Sequence, residues 1–276
     1  MQRELTPRLG ALGATLVRFL FGFPFALVFL AVVLASTRAA LPAMNRDFAQ
    51  WTLLGAATQI GGTALMLLTM EQRSFVVTVA YLKTEPVLVA FMGLLFLGDP
   101  LTLAMALAIV VAMTGVALIS VKPEALTCGM KPALLGLSSA ALFAASAIGY
   151  RGAILSLHQT SFVLAATFSL TAGLTLQTLL LLAWLLLFKR GTLKAIAALW
   201  RPSLLAGFAG AAASEFWFLA FALATAASVR TLALVEVLFA QGVSRFIFRQ
   251  KTTSREAAGI ALLLAGAALI VWVNPG

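Results

Sequence analysis

Residues 179–187 read LLLLAWLLL and contain no charged side chain. They belong to a longer apolar segment, residues 161–187. This segment is long enough to cross a hydrocarbon core of about 30 Å, for which about 20 helical residues suffice. Because strands of a membrane β-barrel alternate apolar and polar side chains, the continuous run excludes a β-barrel. Backbone amides in lipid need internal hydrogen-bond partners, so the segment is predicted to be a transmembrane α-helix.

Eight further segments of the 276-residue chain have the same character. The nine predicted spans are residues 14–35, 51–70, 75–97, 101–121, 133–150, 161–187, 202–224, 227–248 and 256–273. The chain has 62% hydrophobic and 10% charged residues, whereas a soluble domain carries about 25% charge. The sequence therefore predicts an all-α polytopic membrane protein whose main partner is the lipid bilayer.

The basic residues do not form a nucleic-acid site. The net charge of +10 comes from Lys and Arg scattered over short loops and span ends, which is typical of membrane-flanking residues rather than of a basic binding face. The single cysteine, Cys128, cannot form an intrachain disulfide, and no Cys/His cluster predicts a metal. Without a phosphate-binding loop of the G-x-x-x-x-G-K-[ST] type, no nucleotide or other cofactor is expected.

The chain matches itself without gaps at an offset of 151 residues. Matching residues include Glu85 with Glu236, Thr102 with Thr253, and Gly115 with Gly266. Residues 117–119 and 268–270 both read ALI. One offset that holds over four consecutive spans favours an internal duplication. We predict two repeats, residues 1–124 with four spans and residues 125–276 with five.

The same offset would match the fifth span, residues 133–150, to a helix before Met1. The first repeat is thus expected to lack its first helix. Repeats with an odd number of spans insert with opposite topology, which is the inverted-repeat plan of many secondary transporters. The predicted ancestral design is five helices plus five.

Several short motifs resemble a known family. Residues 82–87 read LKTEPV, residues 94–102 read LLFLGDPLT and residues 114–118 read TGVAL. In this order they resemble the helix-four to helix-five region of EamA-like permeases of the drug/metabolite transporter superfamily. Residues 235–236 and 266–270 resemble the matching region of the second repeat, and the resemblance extends over nearly the whole chain. It implies ten helices in two inverted repeats around a central cavity, which the third, fourth, eighth and ninth helices line.

The resemblance implies a secondary transporter rather than an enzyme. Such a protein would export a small metabolite or amino acid across the bacterial inner membrane by alternating access, with a proton as one candidate coupling ion. A non-transporting truncated homologue or partner subunit stays open, because a helix is missing. A lipid-modifying membrane enzyme is disfavoured, since the chain has one histidine, His158, and only short loops. The sequence does not predict the oligomeric state.

Ionisable residues within the spans are candidates for the site. Each costs at least about 2.5–3.5 kcal/mol on insertion scales unless a partner, an aqueous cavity or a function accounts for it. Glu85 and Glu236 occupy equivalent positions, and they could bind a cationic group or carry a proton. Alternatively, each could bond to a neighbouring helix and hold the bundle together. Tyr81 shares the helical face of Glu85.

Other charged residues in the spans need partners too. Lys83 lies about 200° around the helix from Glu85 and must find a partner on another helix. Arg18 or Lys83 could pair with Glu215, while Arg18 and Arg230 could instead extend to the headgroups. The sequence alone does not choose among these arrangements.

Three further features surround these charges. Pro86 removes a backbone hydrogen bond beside Glu85 and predicts either a gating hinge or a plain kink. Thr63 aligns with Ser214, which precedes Glu215 and Trp217; together with Tyr81 these residues could line a polar cavity or merely bond helices together. Gly115 and Gly266 predict close helix packing.

The topology remains open. Most loop Lys and Arg residues lie on the side of Met1, whereas Arg38, Arg46 and Arg151 lie on the other side. The positive-inside rule thus puts Met1 in the cytoplasm and Gly276 outside. The resemblance implies instead that Gly276 is cytoplasmic and that Met1, without the first helix, is outside.

Overall fold

The computed structural model describes residues 2–72, 75–120, 130–159, 161–246 and 253–273. Within these ranges the chain forms helices and short connections, and no strand is present. The helices are α1 (Gln2–Thr37), α2 (Arg46–Gln72), α3 (Phe75–Leu82), α4 (Glu85–Met92), α5 (Leu103–Ser120), α6 (Met130–Ser156), α7 (Phe162–Phe188), α8 (Arg190–Ala198), α9 (Trp200–Leu223), α10 (Ala226–Leu232), α11 (Glu236–Phe246) and α12 (Ser254–Val273). The predicted all-α class is confirmed. Cys128 lies outside the described residues.

Seven helical segments in the described part of the chain are long and apolar enough to cross a membrane. They are Leu12–Thr37, Arg46–Gln72, Val77–Leu97, Met130–Ser156, Phe162–Phe188, Ser203–Leu223 and Ser254–Val273. Each contains or nearly coincides with one predicted span, because a continuous run of apolar residues is the dominant signal for such helices. The protein is therefore an integral multi-pass membrane protein.

The other two predicted spans differ from these seven. The fourth, residues 101–121, corresponds to the shorter apolar helix Leu103–Ile119, and residue 121 lies outside the described part. The eighth, residues 227–248, is divided among α10, a 3₁₀ turn at Ala233–Val235 and α11, and its last two residues are not described. Hydropathy did not reveal this division, since both sides of the break are apolar.

The first of two compact units comprises residues 1–68 and 145–223. Here α1 packs against α7 and α9, which also pack against each other. Small residues allow this close approach: a Cβ added to Gly207 of α9 would collide with the Phe21 carbonyl of α1. In the same way, a Cβ on Gly149 of α6 would lie 2.6 Å from the Gly55 nitrogen of α2.

The second unit comprises residues 69–144 and 224–276, and α5 packs along α12 in its centre. A Cβ added to Gly115 would lie 2.6 Å from the Gly259 oxygen and 2.5 Å from the Leu263 nitrogen. A Cβ on Gly266 would lie 2.8 Å from the Ala108 oxygen and 2.6 Å from the Ala112 nitrogen. The predicted close packing at both glycines is confirmed.

These two sets of contacts are related by the sequence offset. Subtracting 151 places Gly259 on Ala108 and Leu263 on Ala112, just as it places Gly266 on Gly115. The contacts of Gly115 with α12 therefore correspond, at this offset, to the contacts of Gly266 with α5.

Candidate functional site

The segment from residue 75 to residue 97 is an interrupted helix in the second unit. α3 ends at Leu82, Lys83 and Thr84 form a turn, and α4 begins at Glu85. Pro86 stands in the first turn of α4, where a helix has no intrahelical partner for the backbone N–H and proline is tolerated. The predicted hinge residue therefore lies where one half-helix begins.

Local hydrogen bonds stabilise this turn. The Lys83 N–H donates to the Val79 carbonyl at 3.1 Å, and the Thr84 N–H donates to the Tyr81 carbonyl at the same distance. The Thr84 hydroxyl donates to the Tyr81 carbonyl as well, at 2.8 Å. At membrane depth, where water is scarce, such bonds satisfy the backbone and side-chain groups of the turn.

A second break lies 151 residues further along the chain. α10 ends at Leu232, the 3₁₀ turn Ala233–Val235 follows, and α11 begins at Glu236. The offset of 151 places this turn on residues 82–84 and Glu236 on Glu85. The second break contains no proline. Hydropathy missed it, although its equivalence to the position of Pro86 in the repeat was a usable signal.

Two ion pairs connect the interrupted helices. Lys83 Nζ contacts the Glu236 carboxylate, and Arg230 Nε lies 3.0 Å from Glu85 Oε1. Each glutamate therefore pairs with a cation from the other interrupted helix. The sequence predicted that Lys83 needs a partner on another helix, and Glu236 is that partner. Arg230, for which headgroup contact was considered, is ion-paired with Glu85.

The two cations do not occupy equivalent positions. Arg230 falls on Val79 of the first repeat, one helical turn from Lys83. The offset brings the carboxylates into register but not their partners, so sequence comparison alone could not have found the crossed arrangement. The result is a four-residue cluster with balanced charge, which we call the crossed ion pairs: Lys83, Glu85, Arg230 and Glu236.

The two pairs differ in accessibility. The side chains of Glu85 and Arg230 are 13% and 20% exposed, whereas Lys83 is 15% and Glu236 is 64% exposed. Glu236 presents carboxylate oxygen atoms at the surface of its unit, where a cationic group could compete with Lys83.

The Tyr81 ring contacts α6 of the same unit. The ring packs against Gly136 of α6, since a Cβ added there would lie 2.7 Å from Tyr81 Cδ2. A bulkier residue at position 136 would displace the ring.

The remaining predicted residues belong to the first unit. Thr63 is buried, and its hydroxyl donates to the Gln59 carbonyl of its own helix at 2.8 Å. The Gln59 side chain accepts a hydrogen bond from Gln177 of α7 at 2.6 Å. Ser214 is half-buried on α9, where the Trp217 ring lies 5.9 Å from that of Phe221.

Arg18 and Glu215 also lie in the first unit. Arg18 extends along α9, 3.8 Å from a Cβ added to Gly210, and its guanidinium lies 5.9 Å from the Phe19 ring. The hydrogen-bond partner of Glu215 is not a cation but the hydroxyl of Thr167, from α7. The other Glu215 oxygen, Oε2, is buried and has no hydrogen-bond partner among the described residues.

Sequence reasoning missed the polar residues that complete these contacts. Thr167 and Gln177 resemble ordinary polar residues of an apolar helix and become noticeable only through their neighbours. Arg151 was assigned to a loop, but α6 continues to Ser156, and Arg151 is 9% exposed and donates to the Phe221 carbonyl at 2.7 Å. The loop assignment was wrong because a single arginine interrupted the apolar pattern of a continuing helix. Within the described ranges, no group of three or more His, Cys, Asp or Glu side chains could hold a metal ion.

Comparisons with known proteins agree with this architecture. Residues 1–121 match the EamA-like transporter family. The crystal structure of a protein with 13% sequence identity aligns over 96% of this chain and 89% of its own, with a TM-score of 0.64. At that identity the likeness shows the fold alone. No curated protein matches the chain. The resemblance predicted from the motifs is thus confirmed over residues 1–121, which are similar to the EamA-like transporter family.

Proposed function

We propose that this protein is a secondary transporter that exports a small metabolite or amino acid across the bacterial inner membrane by alternating access. The family match and the seven apolar helices support a membrane transporter. The observation that carries the proposal is the pair of helices interrupted at equivalent residues, each with a glutamate at the start of its second half. Discontinuous helices in corresponding positions of two repeats are the best indicator of a transporter binding site.

The architecture that we propose has nine spans in two inverted repeats, residues 1–124 and 125–276. The reciprocal contacts of Gly115 and Gly266 support a two-fold relation between the repeats. The interruption of both helices at the same repeat position supports it independently. In this plan the short helix α5 and the divided helix α10–α11 supply the two further spans.

The crossed ion pairs are the proposed binding site. Glu236 is 64% exposed, and an exposed carboxylate within a span needs water nearby because its insertion into lipid is costly. A cationic group of the substrate would replace Lys83 at Glu236, and Lys83 would then be free to take an anionic group. The more enclosed pair of Glu85 and Arg230 would keep the half-helices in position during this exchange.

Uptake into inside-out proteoliposomes tests the proposal, because export corresponds to inward movement in such vesicles. A panel of labelled amino acids and small metabolites identifies a transported compound, and the Glu85→Gln and Glu236→Gln variants are then compared with the native protein. We expect each to lose at least about tenfold in transport, which corresponds to about 1.4 kcal/mol, because each substitution removes the carboxylate charge from an ion pair.

Glu71→Gln is the matched control, since Glu71 is exposed near the end of α2 and lies outside the crossed ion pairs. Size-exclusion profiles in detergent establish that each variant folds. Native-level transport by folded Glu85→Gln and Glu236→Gln proteins would eliminate the crossed ion pairs as the binding site. No transport of any compound by the native protein would contradict the proposed function as a whole.

A further inference from the structure

The Thr167 hydroxyl makes two contacts, although it has one proton to donate. It lies 2.8 Å from the Val163 carbonyl and also bonds to Glu215 Oε1. A carbonyl oxygen can only accept. If the hydroxyl donates to Val163, the proton between Thr167 and Glu215 must come from the Glu215 carboxyl group.

The second oxygen of Glu215 supports the same assignment. Glu215 Oε2 is buried without a hydrogen-bond partner among the described residues. An ionised carboxylate with one buried, unsatisfied oxygen is disfavoured, whereas the carbonyl oxygen of a neutral carboxyl tolerates this environment better. With Glu215 neutral, the Thr167 hydroxyl and the Val163 carbonyl both have hydrogen-bond partners, and no charge is left beside the unsatisfied oxygen.

The charged and titratable groups near α9 do not supply a counter-ion. α7 has no charged residue between Phe162 and Phe188. From α6, Arg151 donates to the Phe221 carbonyl, and Tyr150 stacks on Phe218 with ring centroids 4.6 Å apart. From α1, Arg18 extends along α9 beside Gly210, and Glu215 has no salt bridge with any described residue.

We infer that Glu215 is a proton-binding site: its carboxyl O–H donates to the Thr167 hydroxyl, which in turn donates to the Val163 carbonyl. When the proton leaves to water, Glu215 becomes a carboxylate and the Thr167 hydroxyl rotates to donate to it. The Val163 carbonyl then loses the hydrogen bond from the Thr167 side chain and no other bond. Thr167 thus provides a hydrogen-bond partner for both protonation states, which makes the site reversible.

Glu215 could couple proton release to transport, and this coupling role rests on the proposed transport function. The protonation of Glu215 does not depend on that function. This proton site lies in the first unit, and the crossed ion pairs lie in the second. Coupling would therefore require that proton release from Glu215 and substrate exchange at Glu236 favour different conformations of the carrier.

Infrared difference spectroscopy tests the protonation directly. The native protein at pH 7, well above the usual glutamate pKa of about 4.3, should show the carbonyl stretch of a neutral carboxyl that is absent from Glu215→Gln. Thr167→Val should shift this band by removing the acceptor hydroxyl, and Thr167→Ser should restore its position. Glu71→Gln, at an exposed carboxyl, should leave the band unchanged. A spectrum of Glu215→Gln identical to the native one would overturn the inference.

Transport tests the coupling separately. Glutamine can donate to Thr167 as a protonated glutamate does, but it cannot release a proton. Glu215→Gln should therefore retain substrate exchange without a pH gradient and lose the acceleration that a gradient produces. Native-like acceleration in this variant would refute the coupling role. If the native protein transports nothing, the proposed function fails, while the infrared band still decides the protonation.

Discussion

The two interrupted helices of the second unit share a break but not the residues that produce it. In the first repeat the break lies between Leu82 and Glu85 and is followed by Pro86. In the second repeat a 3₁₀ turn at Ala233–Val235 breaks the helix without a proline. The common element is a glutamate at the start of the second half-helix. The comparison shows that such a break forms with a proline at Pro86 and without one at Ala233–Val235.

The partners of the two glutamates differ as well. Glu85 and Arg230 are both largely enclosed, whereas Glu236 is exposed although its partner Lys83 is not. An enclosed pair resists exchange, because separating it leaves a buried charge without compensation. An exposed carboxylate can change partners at little cost. The two glutamates thus form one enclosed pair and one pair with an exposed carboxylate.

The largest loss of folded protein is expected at the glycines of the α5–α12 contact, which the offset of 151 relates to each other. Gly115→Leu and Gly266→Leu should each abolish folded protein, because the first added carbon already meets backbone of the facing helix within 2.6 Å. Fluorescence-detected size exclusion of tagged variants measures the loss. Gly242→Ala is the control, since a Cβ at Gly242 meets nothing within 4 Å. If one leucine variant folds normally and the other does not, the α5–α12 contact is not reciprocal.

Removing the cation should cost more stability in the Glu85–Arg230 pair than in the Lys83–Glu236 pair. Arg230→Gln leaves Glu85 enclosed without its cation and should cost about 3–5 kcal/mol of stability, as for a broken buried pair. Lys83→Gln leaves an exposed Glu236 and should cost about 1 kcal/mol or less. Unfolding in mixed detergent micelles measures both.

The double variant Arg230→Gln/Glu85→Gln provides the control for Arg230→Gln. It removes the uncompensated carboxylate and should recover most of the lost stability. Equal costs for Lys83→Gln and Arg230→Gln would show that both pairs are structural and would remove the distinction between them.

The smallest effect is expected at the proline. Pro86→Ala should leave the break in place and change stability by about 1 kcal/mol or less, because the second repeat breaks its helix without proline and the proline contribution is mainly to the unfolded chain. Hydrogen exchange of residues 83–89 reports the break, and Pro100→Ala, in an exposed connection, is the control. Protection typical of a continuous helix in Pro86→Ala would mean that proline alone causes the interruption.

Much of the fold could be predicted from the sequence. Hydropathy located the seven long spans, because a helix in lipid requires an unbroken apolar run of a known length. Glu85, Glu236 and Lys83 were found because charges within such runs are costly and therefore rare. The offset also identified Gly115 and Gly266, and in the structure the facing residues of one glycine align with those of the other at the same offset.

Other features could not be predicted. The 3₁₀ turn before Glu236 leaves no trace in hydropathy, since Ala233–Val235 are as apolar as their neighbours. Thr167 could not be chosen from the many threonines, because a threonine in a helix usually bonds to its own backbone. The partners of Lys83 and Arg230 depend on which helices meet, and no spacing along one helix contains that information.

The sequence by itself determined that this chain is a membrane-embedded helical protein, and its motifs indicated the resemblance to the EamA-like family, which residues 1–121 match. Apolar runs and costly charges are local properties, so a linear chain displays them. Only the tertiary structure decided that Lys83 pairs with Glu236, that Arg230 pairs with Glu85, and that Glu215 bonds to Thr167. Each of these pairs joins residues at least 48 positions apart, and only the packing of helices selects such neighbours.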